Sequence, residues 1–198
     1  MEPTLDELIA RHFPEKEEAI REYADFLKGA GIERGLIGPR EGERIWDRHI
    51  LNSLFLCQLL PQRASLFDIG SGAGLPGIVI ALARPDLKVT LIEPLERRVE
   101  FLKEATAGTE IQVIRGRAQD VKKSADYVTA RAVAALDKLK KMSWHMLKMN
   151  GSLLAMKGES AAKEMEVVPG SILHEITLEG IGLGRIVELK KLPKVPIQ

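Results

Sequence analysis

Asp68, Gly70, Gly72, Gly74 and Gly77 lie within one short stretch, SLFDIGSGAGLPGIVIALARP, that runs from Ser65 to Pro85. Glycines at that density let the chain turn through backbone conformations closed to other residues and let a ligand lie against bare backbone. Glu93 follows about twenty residues on, where an acidic side chain can accept hydrogen bonds from ribose hydroxyls. Two registers fit. Gly72, Gly74 and Gly77 form G-x-G-x-x-G, the dinucleotide pattern, whereas Asp68 to Gly74 form D-x-G-x-G-x-G, which suits an S-adenosylmethionine site. A dinucleotide sets its pyrophosphate against such a loop and the helix that follows. Asp68 would oppose that negative charge, but it suits the sulfonium and ammonium groups of S-adenosylmethionine, directly or through water. The acidic residue therefore favours the methyl donor. A plain structural use also exists, since Asp68 can cap the turn and Gly77 can be a helix-packing glycine. No Gly-Lys-Ser/Thr follows, so the stretch is not a P-loop.

Further along, RGRAQDV places Ala118 and Gln119 where an adenine is expected, the backbone near the ring and the Gln119 or Asp120 side chain within reach of its exocyclic amine. Arg131 closes a strand in DYVTARA, a position that in such sheets belongs to the active site; a surface salt bridge is its other use. Two absences bear on the methyl acceptor. No Asn/Asp-Pro-Pro-Tyr/Phe follows that strand, so the usual grip on an exocyclic amine is missing. Cys57 lacks a proline-cysteine context, which argues against covalent attack on a pyrimidine. A ring nitrogen with a free lone pair, such as guanine N7, needs neither device; it needs alignment and tolerance of developing positive charge. Arg131 or Lys157 can then donate to the neighbouring O6.

The elements that must position these residues follow from periodicity. Thr4 and Glu7 have capping-box spacing before a short helix ended by Pro14. A second helix carries Ile20, Tyr23, Ala24 and Leu27 on one face, and a third runs from Ile45 to Leu60, where Pro61 stops it. From Ser65 onward strand and helix alternate: LFDI, KVTLIE, IQVIRG, DYVTAR and SLLAMKG read as strands, with helices LPGIVIALA, LERRVEFLKEAT and LDKLKKMSWHMLKM between them. The last helix shows Leu136, Leu139, Met142 and Met146 on one face. SAAKEMEVV reads as a shorter helix, and SILHEITL and RIVELKKL as a closing hairpin. The expected architecture is an α/β, Rossmann-like fold with a mostly parallel sheet of up to seven strands. Its ligand site lies beyond the strands' carboxyl ends where the order reverses. Residues 1–62 form a helical cap and 63–198 the catalytic unit.

The chain's 198 residues support one good core and no second independent one. No apolar run approaches the ~18 residues of a membrane span, and the acidic amphipathic start does not resemble a signal peptide, so a cytoplasmic location is expected. A lone cysteine excludes an intrachain disulfide and a multi-cysteine zinc site, and no metal is expected. Net charge is only +1, yet it is unevenly spread: Met1 to Gly35 holds nine acidic and five basic residues, Arg131 to Lys163 seven basic and two acidic. That asymmetry points to a polyanion-facing side in the second half, although solvated helix faces produce the same counts.

WDRHILNS (Trp46–Ser53), LFDIGSGAGLPGIVIA (Leu66–Ala81), RGRAQDV (Arg115–Val121), TARAVA (Thr129–Ala134) and LLAMKG (Leu153–Gly158) occur in that order. Together they resemble the bacterial 16S ribosomal RNA guanine-N7 methyltransferases, formerly the glucose-inhibited division protein B family. The resemblance implies a class I methyltransferase sheet with an N-terminal helical cap, S-adenosylmethionine as cofactor, and methylation of a guanine N7 in the 530 loop of 16S ribosomal RNA. It carries cofactor contacts to Gly70, Leu75, Ala118, Gln119 and Arg131, and sets Arg48 and His49 toward the cofactor and RNA cleft. Lys157 becomes a phosphate or target-base contact, and Lys138, Lys140, Lys141 and Lys148 become phosphate contacts. Two departures stand out. GLIGPREGE replaces the family's Asn-Leu-Thr loop, and Gln119 stands where many members have Glu. A methyltransferase for another RNA or small molecule, and a non-enzymatic adenosyl-ligand or RNA-binding module, are the competing readings.

Overall fold

The structure, a computed structural model, describes residues 2–158 and 161–193. Helices α1 (Leu5–His12) and α2 (Glu17–Phe26) come first, α1 opening with the Thr4–Glu7 capping box. A π-turn at Leu27–Gly31 extends α2, and a 3-10 turn covers Pro39–Arg44. Residues 45–59 then stay helical but not regular: a π-turn (Ile45–Ile50), a single α-turn α3 (Leu51–Ser53) and a 3-10 stretch (Leu54–Leu59). The sequence predicts one smooth helix there. The irregular winding accompanies burial of Ile45, Ile50, Leu51, Leu54, Phe55 and Leu56, whose spacing does not fit a single regular stripe.

Strands β1 (Ser65–Ile69), β2 (Lys88–Glu93), β3 (Gln112–Arg115), β4 (Ala125–Arg131), β5 (Leu147–Met156), β6 (Ser171–Leu178) and β7 (Gly182–Lys190) form one sheet in the order β3-β2-β1-β4-β5-β7-β6. Pairings from β3 through β5 are parallel, and β7 runs antiparallel to both β5 and β6. The order reverses between β1 and β4, which opens a crevice above their carboxyl ends. Helices α4 (Gly77–Ala83), α5 (Glu96–Ala105), α6 (Leu136–Ser143) and α7 (Ala161–Glu166) connect the strands.

Alternation along each strand divides the core. Leu66 of β1 and Val89 and Leu91 of β2 pack with α4, α5 and the N-terminal helices, whereas Phe67, Ile69 and Ile92 pack with α6 and α7. The N-terminal helices thus share one continuous core with the first face of the sheet.

A second predicted helix differs as well. The apolar spacing through Met146 suggests a helix to Met149, but α6 ends at Ser143, Trp144–Met146 is a 3-10 turn, and β5 already begins at Leu147. Leu147 pairs with Ala125 of β4. Nonlocal pairing overrides the local helical pattern. This moves Lys148 to the amino end of the sheet, where its Nζ lies 3.0 Å from Asp126 Oδ1, at the opposite end of β4 from Arg131. Lys148→Ala is expected to leave cofactor affinity and methyl transfer unchanged within twofold, and to cost no more than about 1 kcal/mol in chemical denaturation.

Candidate active site

Because Leu66 and Asp68 share one face of β1, the Asp68 carboxylate points toward the start of α4 beneath the glycine loop. It is 1% exposed. Its Oδ2 accepts the Gly77 N–H at 3.1 Å, while Oδ1 is buried without a hydrogen-bond partner among the described residues. Gly77 has to lack a side chain, since a Cβ there would stand 2.7 Å from Asp68 Oδ2. Burial, opposed by the Gly77 N–H, pushes the Asp68 pKa up to about 7.

Above Asp68, Gly70 turns the chain at φ 66°, and a Cβ there would come within 2.8 Å of Val133. Gly72 N–H donates to Glu93 Oε2 and Leu95 N–H to Glu93 Oε1, each at 3.0 Å. Glu93, at the end of β2, thereby fixes the loop's shape from a buried position. Tyr23 of α2 fixes it from the other side, its hydroxyl donating to Ala73 O at 2.8 Å. Burial holds the Tyr23 phenol well above its ordinary pKa, so it remains a donor. Tyr23→Phe leaves the buried Ala73 carbonyl unpaired. The expected result is about 1 kcal/mol lower stability, and calorimetry should find cofactor binding weakened several-fold.

Two adjoining cavities open on this loop, and a third meets the first at Arg131 and Ala132. The largest, about 720 Å³, is lined by Ile37, Glu41, His49, Gly70, Leu75, Glu93 and Arg131, among others. A second, of about 260 Å³, continues from it past Gly70, Pro94 and Val133 to Ala118 and Gln119, with Ile92 and Met142 also in its mostly apolar lining. A third, of about 500 Å³, lies across Arg131 and Ala132 and is bounded by Asn52, Phe55, Lys157, Gly158, Glu164 and the start of β7. The first two fit an adenosyl ligand: a bare-backbone cradle at Gly70, a carboxylate at Glu93 on the ribose side and an apolar slot for a purine. Asp68 lies under the cradle rather than in the cleft, so its charge acts across the loop.

Arg131 stands at the end of β4 in the wall between the first and third cavities. Its Nη2 is 3.0 Å from His49 Nδ1, and His49 Nε2 is 2.8 Å from Glu41 Oε2. Arg48 reaches the other oxygen of Glu41 at 3.1 Å and is otherwise half exposed. Burial and then the Arg131 charge hold the His49 pKa below its ordinary value. Lys157 is tied down, with Nζ 2.8 Å from both Ala134 O and Glu164 Oε2. Glu164 also accepts the Leu136 N–H that opens α6, so Lys157 braces the floor of the third cavity.

The family model described as GidB, rRNA small subunit methyltransferase G, matches residues 16–179. The chain belongs to this family. A relative from Mycobacterium marinum, named ribosomal RNA small subunit methyltransferase G, is 47% identical over 92% of this chain and 80% of its own length. One of the same name from Mycolicibacterium gilvum is 56% identical over 85% of this chain and 74% of its own. Among solved structures, a methyltransferase from Pyrococcus furiosus superposes with a TM-score of 0.61 at 14% identity, covering 88% of this chain and 100% of that one. A putative S-adenosyl-L-methionine-dependent methyltransferase from Methanococcus maripaludis gives 0.56 at 16% identity, covering 92% and 95%. The fold is that of the class I methyltransferases, and the protein is an S-adenosylmethionine-dependent rRNA methyltransferase.

For a member of this family, the structure gathers Asp68, Gly70, Gly72, Gly74, Leu75 and Glu93 around one loop, and Arg48, His49 and Arg131 around one edge of the cleft. Lys138, Lys140 and Lys141 sit on α6; Lys140 stacks over Trp144 at 5.1 Å, and Lys141 pairs loosely with Asp137. Phe55 and Arg185 line the site outside any quoted motif, whereas Asn52 lies within WDRHILNS and Glu41 within the variant GLIGPREGE loop, neither marked by its type as a site residue. Among the described residues no helix is long and apolar enough to cross a membrane, and no cluster of His, Cys, Asp and Glu could hold a metal ion.

Proposed function

We propose that this chain methylates N7 of a guanine in the 530 loop of 16S ribosomal RNA in the cytoplasm, acting on the small subunit or an assembly intermediate. The observation that carries this reading is the shared wall: Arg131 and Ala132 stand between the cofactor cleft and the third cavity, which at about 500 Å³ has room for a base. When bound, S-adenosylmethionine supplies an electrophilic methyl group on its sulfonium. Gly70, Gly72, Gly74 and Leu75 hold its amino-acid part against the backbone. Glu93 accepts from the ribose, and Ala118 and Gln119 bound the adenine.

Guanine N7 has its own lone pair, so the chain needs no general base. Its task is to align the base and exclude water. Arg131 donates toward O6 rather than toward N7, where a cation would oppose the charge that forms. Lys157, neutralised by Glu164, shapes the pocket that receives the base. Arg48, Lys138, Lys140 and Lys141 meet RNA phosphates, which orient the substrate without reading its sequence. Residues 1–62 act as the cap over this cleft, and 63–198 carry the methyl transfer.

Base-modification mapping of ribosomal RNA from cells with and without this protein tests the reading. The expected difference is loss of N7 methylation at one guanine of the 530 loop, and an unchanged 530 loop refutes it.

A further inference from the structure

We infer that Glu41 is a positioning residue for methyl transfer, acting on Arg131 through a neutral His49. The inference rests on the proposed placement of Arg131 beside the target base. A guanidinium can only donate hydrogen bonds, so the 3.0 Å contact from Arg131 Nη2 makes His49 Nδ1 an acceptor. The ring proton then resides on Nε2 and is donated to Glu41 Oε2 at 2.8 Å. Neighbours on both sides thus fix one tautomer and one ring orientation.

This arrangement leaves the Arg131 charge available. Among the described residues its side-chain hydrogen bond goes to a neutral ring nitrogen, not to a carboxylate. The carboxylate sits one link away, on the 3-10 turn Pro39–Arg44, directly after Leu36, Ile37 and Gly38, which line the cofactor cleft. The variant loop GLIGPREGE therefore closes the cleft and braces the wall of the adjoining cavity in one piece of chain. Without an acceptor at Nε2 the ring is free to adopt the other tautomer, and a proton on Nδ1 would face Arg131 and displace it.

The relay also has a pH signature. The charged groups facing His49 are Glu41, Arg48 and Arg131, and Arg131 in turn faces Tyr23 and Asp68. Protonating His49 puts N–H on Nδ1 against a like charge, so Arg131 keeps its place only while the ring is neutral. Burial and Arg131 lower the His49 pKa; Glu41 alone among its neighbours raises it.

The test is steady-state methyl transfer to small subunits bearing the unmodified target, from pH 5.5 to 8.5, at saturating cofactor so that Asp68 titration does not enter. Wild type, Glu41→Ala and Glu41→Gln are compared, with cofactor affinity and thermal midpoint measured for each. Glu41→Ala is expected to lower kcat by up to about 100-fold with cofactor affinity altered by less than about threefold. Glu41→Gln keeps an oxygen acceptor for Nε2–H, so it should recover kcat to within about threefold of wild type while moving the acid limb to lower pH. Equal kcat losses in both variants, or no loss in either, would overturn the inference. Should Glu41→Ala not fold, Glu41→Gln decides alone: an unmoved acid limb overturns the relay and a lowered one supports it. An inactive wild type overturns the proposed function and this inference together, whereas an active wild type with indifferent Glu41 variants overturns the inference alone.

Discussion

Arg131→Ala is expected to cut methyl transfer to small-subunit RNA on the order of 100- to 1000-fold while leaving a folded protein. The side chain lines both large cavities, so its loss merges two spaces that, on the proposed reading, hold the methyl group and the base apart at the right approach. The same loss removes the donor to His49 Nδ1. The structural cost is one hydrogen bond, about 1 kcal/mol, which for a chain of this size lowers Tm by about 2–4 °C. Kinetics and scanning calorimetry therefore separate the two effects. Activity within threefold of wild type would remove Arg131 from the site, and a Tm loss beyond about 10 °C would make its role structural.

Asp68→Asn should change the pH dependence of both stability and cofactor binding. The folded pKa of about 7 lies well above the ordinary carboxylate value, with burial as the main cause. Between pH 4 and 7 the folded chain therefore binds more protons at Asp68 than the unfolded chain does. Stability of the ligand-free protein must then fall as pH rises through that window, by at most about 1.4 kcal/mol per pH unit. Asp68→Asn removes this slope. A cationic ligand above the loop favours the carboxylate, so S-adenosylmethionine affinity should rise as pH increases toward 7 and level off above it. S-adenosylhomocysteine, which lacks the sulfonium charge, should show a shallower rise. Calorimetric titrations at pH 5.5, 7 and 8.5 on wild type and Asp68→Asn check this. Parallel profiles for the two proteins would show that Asp68 is a turn cap with no electrostatic part in binding.

The proposed cofactor half of this site is legible in the sequence as a set of neighbouring residues because its parts are local. β1, the glycine loop and α4 are consecutive, and strand alternation around Asp68 already decides which face its carboxylate takes. Ala118 and Gln119 follow β3 directly, and Arg131 closes β4. What escaped the sequence is what distant segments impose. Leu147 continues a helical apolar pattern, yet pairing with Ala125 makes it the first residue of β5. Residues 45–59 carry enough apolar residues for a smooth helix, but burying them on more than one side winds the segment irregularly. Glu41 carries no motif; only the fold reveals that its carboxylate meets His49 from a separate turn. The pairing of Lys157 with Glu164 is likewise hidden in the sequence, because Glu164 belongs to another element. Gly184 and Phe55, far apart in sequence, pack so closely at the third cavity that a side chain at 184 would strike the ring.

On the proposed function, this chain places a guanine N7 in line with the methyl group of a cofactor held above β1 and β4. Small subunits from cells lacking the protein, incubated with the purified chain and methyl-labelled S-adenosylmethionine, test it most directly. Label is expected on one guanine of the 530 loop, at N7. Label on another atom or another base, or none at all from a chain that binds the cofactor, would contradict it.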